Sequence, residues 1–316
     1  MAEPCIAGTH NAGEFLPAGA EILARGGSAL DAVEAATRMV ELNPKDSSVG
    51  QGGIPNLLGV PEMDASIMCG RTRRTGAVGA MRGFLHPISV ARKLLEEAPH
   101  VLLVGEGAER FARVMGCEPG ELLTEDSRRV HDIFVADAFE HETIDESQEW
   151  VLDYAKSQKL RGWYEKLSDE QHGTVNIMAR DAAGDLACAV STSGTALKFP
   201  GRLGDSPIIG AGNYCDNRFG AAACTGRGEL SIRVSTARTI INALEHGSSI
   251  SDAASGAMRD IHTLDTFGGM NCLVMDKAGN TQSANTRPER PSVHWFMTAD
   301  MTQAEKRTGL NIGKND

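Results

Sequence analysis

Gly173 and Thr174 are the pair of residues whose chemistry depends on whether the bond between them is intact. Left in the chain, Thr174 only opens an apolar strand. Severed from Gly173, it owns a free α-amine with an ordinary pKa of roughly 7.7 to 8.0, beside a hydroxyl that is otherwise a poor nucleophile. One residue then supplies both nucleophile and general base. The cut can be made by the threonine hydroxyl attacking the preceding carbonyl, and glycine at that position has no side chain to obstruct a strained geometry. The dipeptide alone has little specificity, because Gly8-Thr9 and Gly194-Thr195 repeat it. Its surroundings must decide.

A different chemistry is suggested by "VLLVGEGAER", a strand, a Gly-x-Gly and a helix start, superficially a dinucleotide-binding turn. Arg110 stands where the third glycine belongs, and no acidic residue ends a clear second strand beyond it. The seven cysteines are odd in number, scattered and without a C-x-x-C pair, which suits reduced, mostly buried thiols better than disulfides or a zinc site. A formal charge of -11 argues against nucleic acid or anionic membrane as partner and leaves a small molecule as the expected ligand. The opening "MAEPCIAGTHNAG" has no basic leader, and no stretch is apolar for long enough to cross a bilayer, so a soluble, cytoplasmic protein is expected.

The elements that must position Thr174 are read from periodicity. "AGAEILARGG" is helical, and Ser28 caps a second helix, "ALDAVEAATRMVEL", with Leu30, Val33 and Val40 on one face. After the glycine-rich "SSVGQGGIPNLLG" come a strand "EMDASIM", a helix "HPISVARKLLEEA", a strand "HVLLVGEG" and a helix "AERFARVMG". From about 117 to 171 charged residues dominate, strand signals are absent and only "SQEWVLDYAKSQ" is partly helical, so this reads as an exposed linker ending at Thr174. A hairpin follows in "TVNIMARDAAGDLACAVST", then a loop "GRLGDSPIIGAGNYCDN", a strand "GAAACTGRGE" and one helix through "SIRVSTARTIINALEHG". "MNCLVMDKAGNTQSAN" and "VHWFMTA" complete a sheet-rich centre with helices outside.

Taken in order, "HGTV", "STSG", "PGRLGDSPIIGAGNYCDN" and "TGRGE" resemble the threonine N-terminal-nucleophile hydrolases of the aspartylglucosaminidase and plant-type asparaginase family. "GGSALDAVEAA", "SVGQGGIPN", "MDASIM", "TGAVGAM" and "PISVARKLLEEAPHVLLVGEGAERF" resemble its first subunit, so the likeness spans nearly the whole chain. The resemblance implies an α+β fold, a four-layer αββα sandwich. It implies one domain over 1–316 made as a precursor, an α subunit 1–173 carrying the linker, and a β subunit 174–316. It implies Thr174 as nucleophile, hydrogen-bonded by Thr192, with Arg202 on the substrate's α-carboxylate and Asp205 on its α-ammonium. A guanidinium fork and a carboxylate suit those groups. Thr225 hydroxyl and Gly226 N–H would form the oxyanion hole, although two glycines also suit a tight turn. The implied substrate is a small β-aspartyl amide, no cofactor is needed, metal is left unassigned, and a homodimer of αβ units is expected.

Three residues depart from the family. His172-Gly173-Thr174 matches plant-type asparaginases where glycosylasparaginases have an aspartate before the threonine. Asn176 stands where the family commonly has glycine, to crowd the substrate or to donate to it. His10 lies near where glycosylasparaginases carry a tryptophan that walls the aspartate pocket, or is a surface histidine at a strand end. These features split the reading, since the first half resembles glycosylasparaginases and the processing site resembles asparaginases; N4-(β-N-acetylglucosaminyl)-L-asparaginase activity is placed ahead, with isoaspartyl peptidase or L-asparaginase as the alternative, and an unprocessed aspartyl-binding relative as the reading outside catalysis.

Overall fold

The computed structural model describes residues 3–139, 173–264 and 268–315. Two sheets face one another. The larger has eight strands in the order β12-β11-β1-β5-β6-β2-β3-β4. They are β1 (Cys5–Thr9), β2 (Met63–Cys69), β3 (Thr75–Met81), β4 (Leu102–Val104), β5 (Val175–Arg180), β6 (Leu186–Thr192), β11 (Val293–Thr298) and β12 (Glu305–Thr308). The smaller runs β13-β10-β9-β8-β7, from β7 (Asn213–Asp216), β8 (Gly220–Gly226), β9 (Met270–Asp276), β10 (Thr281–Asn285) and β13 (Leu310–Asn311). Pairing is antiparallel except at β3–β4 and β10–β13.

Side-chain alternation sorts three apolar layers. From β5, Val175, Ile177 and Ala179 face the outer apolar layer under α1 (Leu16–Ala24), α2 (Ala29–Glu41), α3 (Pro87–Glu97) and α4 (Gly105–Val114), with α2 lying on β5 itself, whereas Met178 faces the second sheet. From β8, Ala221 and Ala223 face the first sheet, whereas Ala222 and Cys224 pack under three helices on the far side. These are α6 (Gly228–Val234), α7 (Thr236–Glu245) and α8 (Ile250–His262). The result is the four-layer αββα sandwich. Each fully buried aliphatic side chain contributes about 1.5–3 kcal/mol, so three such layers easily hold a sheet whose strands are buried on both faces.

Local chemistry explains most boundaries. Ser28 accepts from Asp31 N, capping α2. Asp181 Oδ1 accepts from Ala183 N and Asp185 N, both at 3.0 Å, and so closes the β5–β6 turn. Asp64, at the register shift in β2, turns its carboxylate to Ala80 N (2.9 Å) and Gly204 N (3.2 Å).

Two expectations need correction, and two elements were not foreseen. The linker reading fails over its first part, where α5 (Glu125–Phe139) forms, with Thr124 Oγ1 accepting from Ser127 N at 3.1 Å. Its buried stripe is Ser127, His131 and Val135, and with polar residues at two of three positions it carries no apolar period. His131 is held instead by its Nε2 near Leu57 O, at 3.3 Å. The helix expected in "SQEWVLDYAKSQ" lies outside the described residues. The single helix through 231–247 is broken at Ser235, whose φ is 52°. The first N–H groups of α7 bond to the preceding loop, Ala237 N to Ala211 O and Arg238 N to Gly210 O, and that capture turns the chain. Finally β3 and α8 escape the periodicity reading because they are built from small residues. Gly76 lies against the α3 backbone, where a Cβ would collide with Ala91 O, and α8 buries Ala253, Ala254 and Ala257.

Candidate active site

Thr174 precedes β5 and shares the parity of Asn176 and Met178, so it faces the gap between the sheets, 5% exposed. The backbone before it is pinned. Thr192 Oγ1, at the end of the neighbouring β6, donates to Gly173 O at 2.6 Å and accepts from Gly194 N at 2.9 Å. Thr192 therefore holds the carbonyl of the bond in question, and its hydrogen bond runs to Gly173 rather than to Thr174. A donor on that oxygen polarises the carbonyl toward attack. Gly173 is explained by space: a Cβ there would collide with the Ser48 side chain, and its φ is not left-handed. His172 lies outside the described residues.

The other quoted segments converge on the same end of the sandwich. A Cβ on Gly194 would lie 3.5 Å from Arg202 Nη1, and one on Gly228 would lie 2.8 Å from Asp205 Oδ1. Arg202 donates through Nε (2.9 Å) and Nη2 (2.8 Å) to the two carboxylate oxygens of Glu229. Burial raises the Glu229 carboxyl, but Arg202, a backbone hydrogen bond and Arg227 together outweigh it and the net shift is downward, which keeps the pair ionic. Asp205 is 3% exposed, and among the described residues its Oδ2 has no hydrogen-bond partner. Burial pushes its carboxyl up to about 7 against the pull of Arg202. A buried carboxylate with an unmatched oxygen suits an incoming ammonium.

Thr225 lies on the inner face of β8, and its hydroxyl oxygen accepts from Asn176 Nδ2 at 2.6 Å. Asn176, fully buried, reaches across the gap and also donates to Cys224 O at 3.1 Å. It thus ties β5 to Thr225 on the facing sheet. Gly226 has φ 133°, and a Cβ would collide with Gly269 O, so glycine is required there. His10 lies in the turn after β1 with its carbonyl accepting from Trp295 Nε1 at 2.9 Å. A cleft of about 520 Å³ runs from Gly173 past Ser48 and His10 to Trp295, and a second of about 290 Å³ joins His10 to Thr225, Asn271 and His294. Thus a tryptophan from β11 walls the space beside His10.

Sequence reasoning missed the polar chain behind these residues. Asn176 N donates to Thr9 Oγ1 (3.0 Å), Thr9 Oγ1 to Asn11 Oδ1 (2.8 Å), and Asn11 Nδ2 to Asp46 Oδ2 (2.7 Å). Asp46 Oδ1 accepts from Ser48 N at 2.8 Å, closing the path beside Gly173. These residues sit at strand ends and in turns, where periodicity carries no signal; only the polar cluster "NPKDSS" could have marked them. Glu229 was inside a quoted motif and went unassigned. Lys198, fully buried, donates its Nζ to Glu62 O at 2.8 Å and supports the same loop.

Two facing sheets cased in helices, with a buried threonine heading a central strand, define the N-terminal-nucleophile class of hydrolase. A sequence model of the family described as Asparaginase matches residues 4–301. The chain is 38% identical, over 85% of its length, to the N(4)-(beta-N-acetylglucosaminyl)-L-asparaginase of Elizabethkingia miricola, and covers 72% of that protein. It is 37% identical to the isoaspartyl peptidase/L-asparaginase of Rattus norvegicus, covering 86% of this chain and 75% of the other. With the plant-type L-asparaginase of Pyrococcus horikoshii it shares 40% identity over 83% of this chain and 82% of that one. The chain belongs to the asparaginase family, and it is a hydrolase.

Proposed function

We propose that this chain is a self-processing amidohydrolase that cleaves the amide of a β-aspartyl substrate with Thr174 as its nucleophile. The observation that carries it is the 2.6 Å hydrogen bond from Thr192 Oγ1 to Gly173 O, which activates the bond that must break to free the Thr174 amine. In processing, Thr174 Oγ attacks the Gly173 carbonyl carbon, the peptide nitrogen leaves as the α-amine, and water hydrolyses the resulting ester. In turnover the same hydroxyl attacks the substrate's side-chain carbonyl while the α-amine takes its proton. The protonated amine then gives that proton to the leaving nitrogen, and water releases aspartate. Thr225 and Gly226 face the developing oxyanion; Arg202 and Asp205 hold the α-carboxylate and α-ammonium.

The named relatives support two leaving groups equally, a glycosylamine and an amino acid or ammonia. The cleft running to Trp295 favours the glycosylamine, because an aromatic wall suits the apolar face of a sugar. Intact mass under denaturing conditions, after incubation at neutral pH, tests the core of the proposal. Two fragments, the second beginning at Thr174, are expected; T174A should remain one chain without activity. An active T174A protein would overturn the mechanism. A panel of a glycosylasparagine, a β-aspartyl dipeptide and asparagine then ranks the leaving groups.

A further inference from the structure

Asn176 occupies a place on the inner face of β5 where glycine would leave the gap between the sheets open. Its Nδ2 lies 3.1 Å from Cys224 O and 2.6 Å from Thr225 Oγ1. A backbone carbonyl only accepts, so the atom beside Cys224 O must be the amide nitrogen, and this fixes which way the amide faces. The Thr225 hydroxyl oxygen is then an acceptor toward Asn176. Among the described residues its own hydrogen meets no acceptor. Asn176 Oδ1, buried, has no partner either. A buried amide with an orphan oxygen is a net cost to folding, which makes it a poor choice for stability alone.

Resting on the proposed function, we infer that Asn176 is a positioning residue that orients the Thr225 hydroxyl as an oxyanion donor. By occupying a lone pair of Thr225 Oγ1, the amide leaves the O–H directed away from β5 and available to the substrate's carbonyl oxygen. A hydroxyl free to rotate would spend part of its time directed elsewhere. A donor held in place before the reaction stabilises the oxyanion without reorganisation, and losing one oxyanion-hole donor outright slows turnover about 100- to 1000-fold. Losing only its orientation should cost less.

The test compares wild type, N176L, N176G, T225A and the double variants N176L/T225A and N176G/T225A on the chromogenic β-(4-nitroanilide) of L-aspartate. Rates are expressed per free Thr174 terminus, counted by intact mass. N176L removes the donor at similar volume; N176G serves if leucine prevents folding or processing. The expected result is kcat lowered about 10- to 100-fold with KM within about twofold, and less than about twofold further loss on adding either change to T225A. A kcat within about threefold of wild type, an effect confined to KM, or an undiminished loss in the T225A background would each overturn the role of Asn176 while leaving the proposed function standing. A wild-type protein that releases no amine from any β-aspartyl amide would instead overturn the proposed function, and this inference with it.

Discussion

At the residue scale, buried charge governs the site. Asp205 is raised to about 7 by burial, so near neutrality its carboxyl is partly protonated. The folded state holds this proton between about 4 and 7, where the unfolded chain has lost it, so stability falls as pH rises through that window and the full penalty applies above 7. D205N, neutral throughout, should match wild type near pH 4 and exceed it at pH 8, on the order of 4 kcal/mol, measured by urea unfolding at the two pH values. The same change should raise KM for substrates bearing an α-ammonium, and wild-type KM should rise as pH drops below 7. For R202A, cleavage into two fragments should be normal, with KM raised about 10- to 100-fold through loss of a charge-assisted hydrogen bond. An unchanged KM would remove its proposed role.

At the element scale, the break between α6 and α7 shows tertiary contact overriding local preference. Ser235 accepts a left-handed backbone, costing roughly 1–2 kcal/mol, because the α7 N–H groups find the loop carbonyls of Gly210 and Ala211. That loop continues directly from Asp205 and Ser206, so the break helps hold the segment that carries Asp205. S235G should relieve the strain and stabilise the protein by up to ~1 kcal/mol after glycine's entropy is counted, a rise in melting temperature of a few degrees with activity retained. A fall in melting temperature would show that the serine contributes more than its conformation. The α5 case differs: a polar stripe of Ser127 and His131 is buried, and hydrogen bonds replace the apolar contacts that periodicity would detect.

At the scale of the whole molecule, strand order decides what a cut before Thr174 would leave. In the larger sheet β11, β12, β5 and β6 follow the cut in sequence, whereas β1, β2, β3 and β4 precede it. β1 is hydrogen-bonded between β11 and β5, and β6 between β5 and β2, so each piece is laddered into the other. The two fragments should therefore co-elute on native size exclusion and separate only in denaturant. Separation under native conditions would contradict this interleaving. Among the described residues, no helix is long and apolar enough to cross a membrane.

Much of this arrangement was legible in the linear chain. Short-range chemistry marked the Ser28 cap, the hairpin around "DAAGD" and the candidate Gly173-Thr174 bond, because caps, turns and a nucleophile beside a glycine are properties of neighbours in sequence. Ordered motifs brought Thr192, Arg202, Asp205, Thr225 and Gly226 onto one page through likeness to a family. Tertiary structure alone decided the rest: that Thr192 reaches the carbonyl of Gly173, that Glu229 pairs with Arg202, and that Asn176 spans two sheets to Thr225. The physical reason is that strands buried on both faces read as unbroken apolar runs. Which residue looks toward the helices and which toward the facing sheet is then settled by strand pairing between segments far apart in the chain.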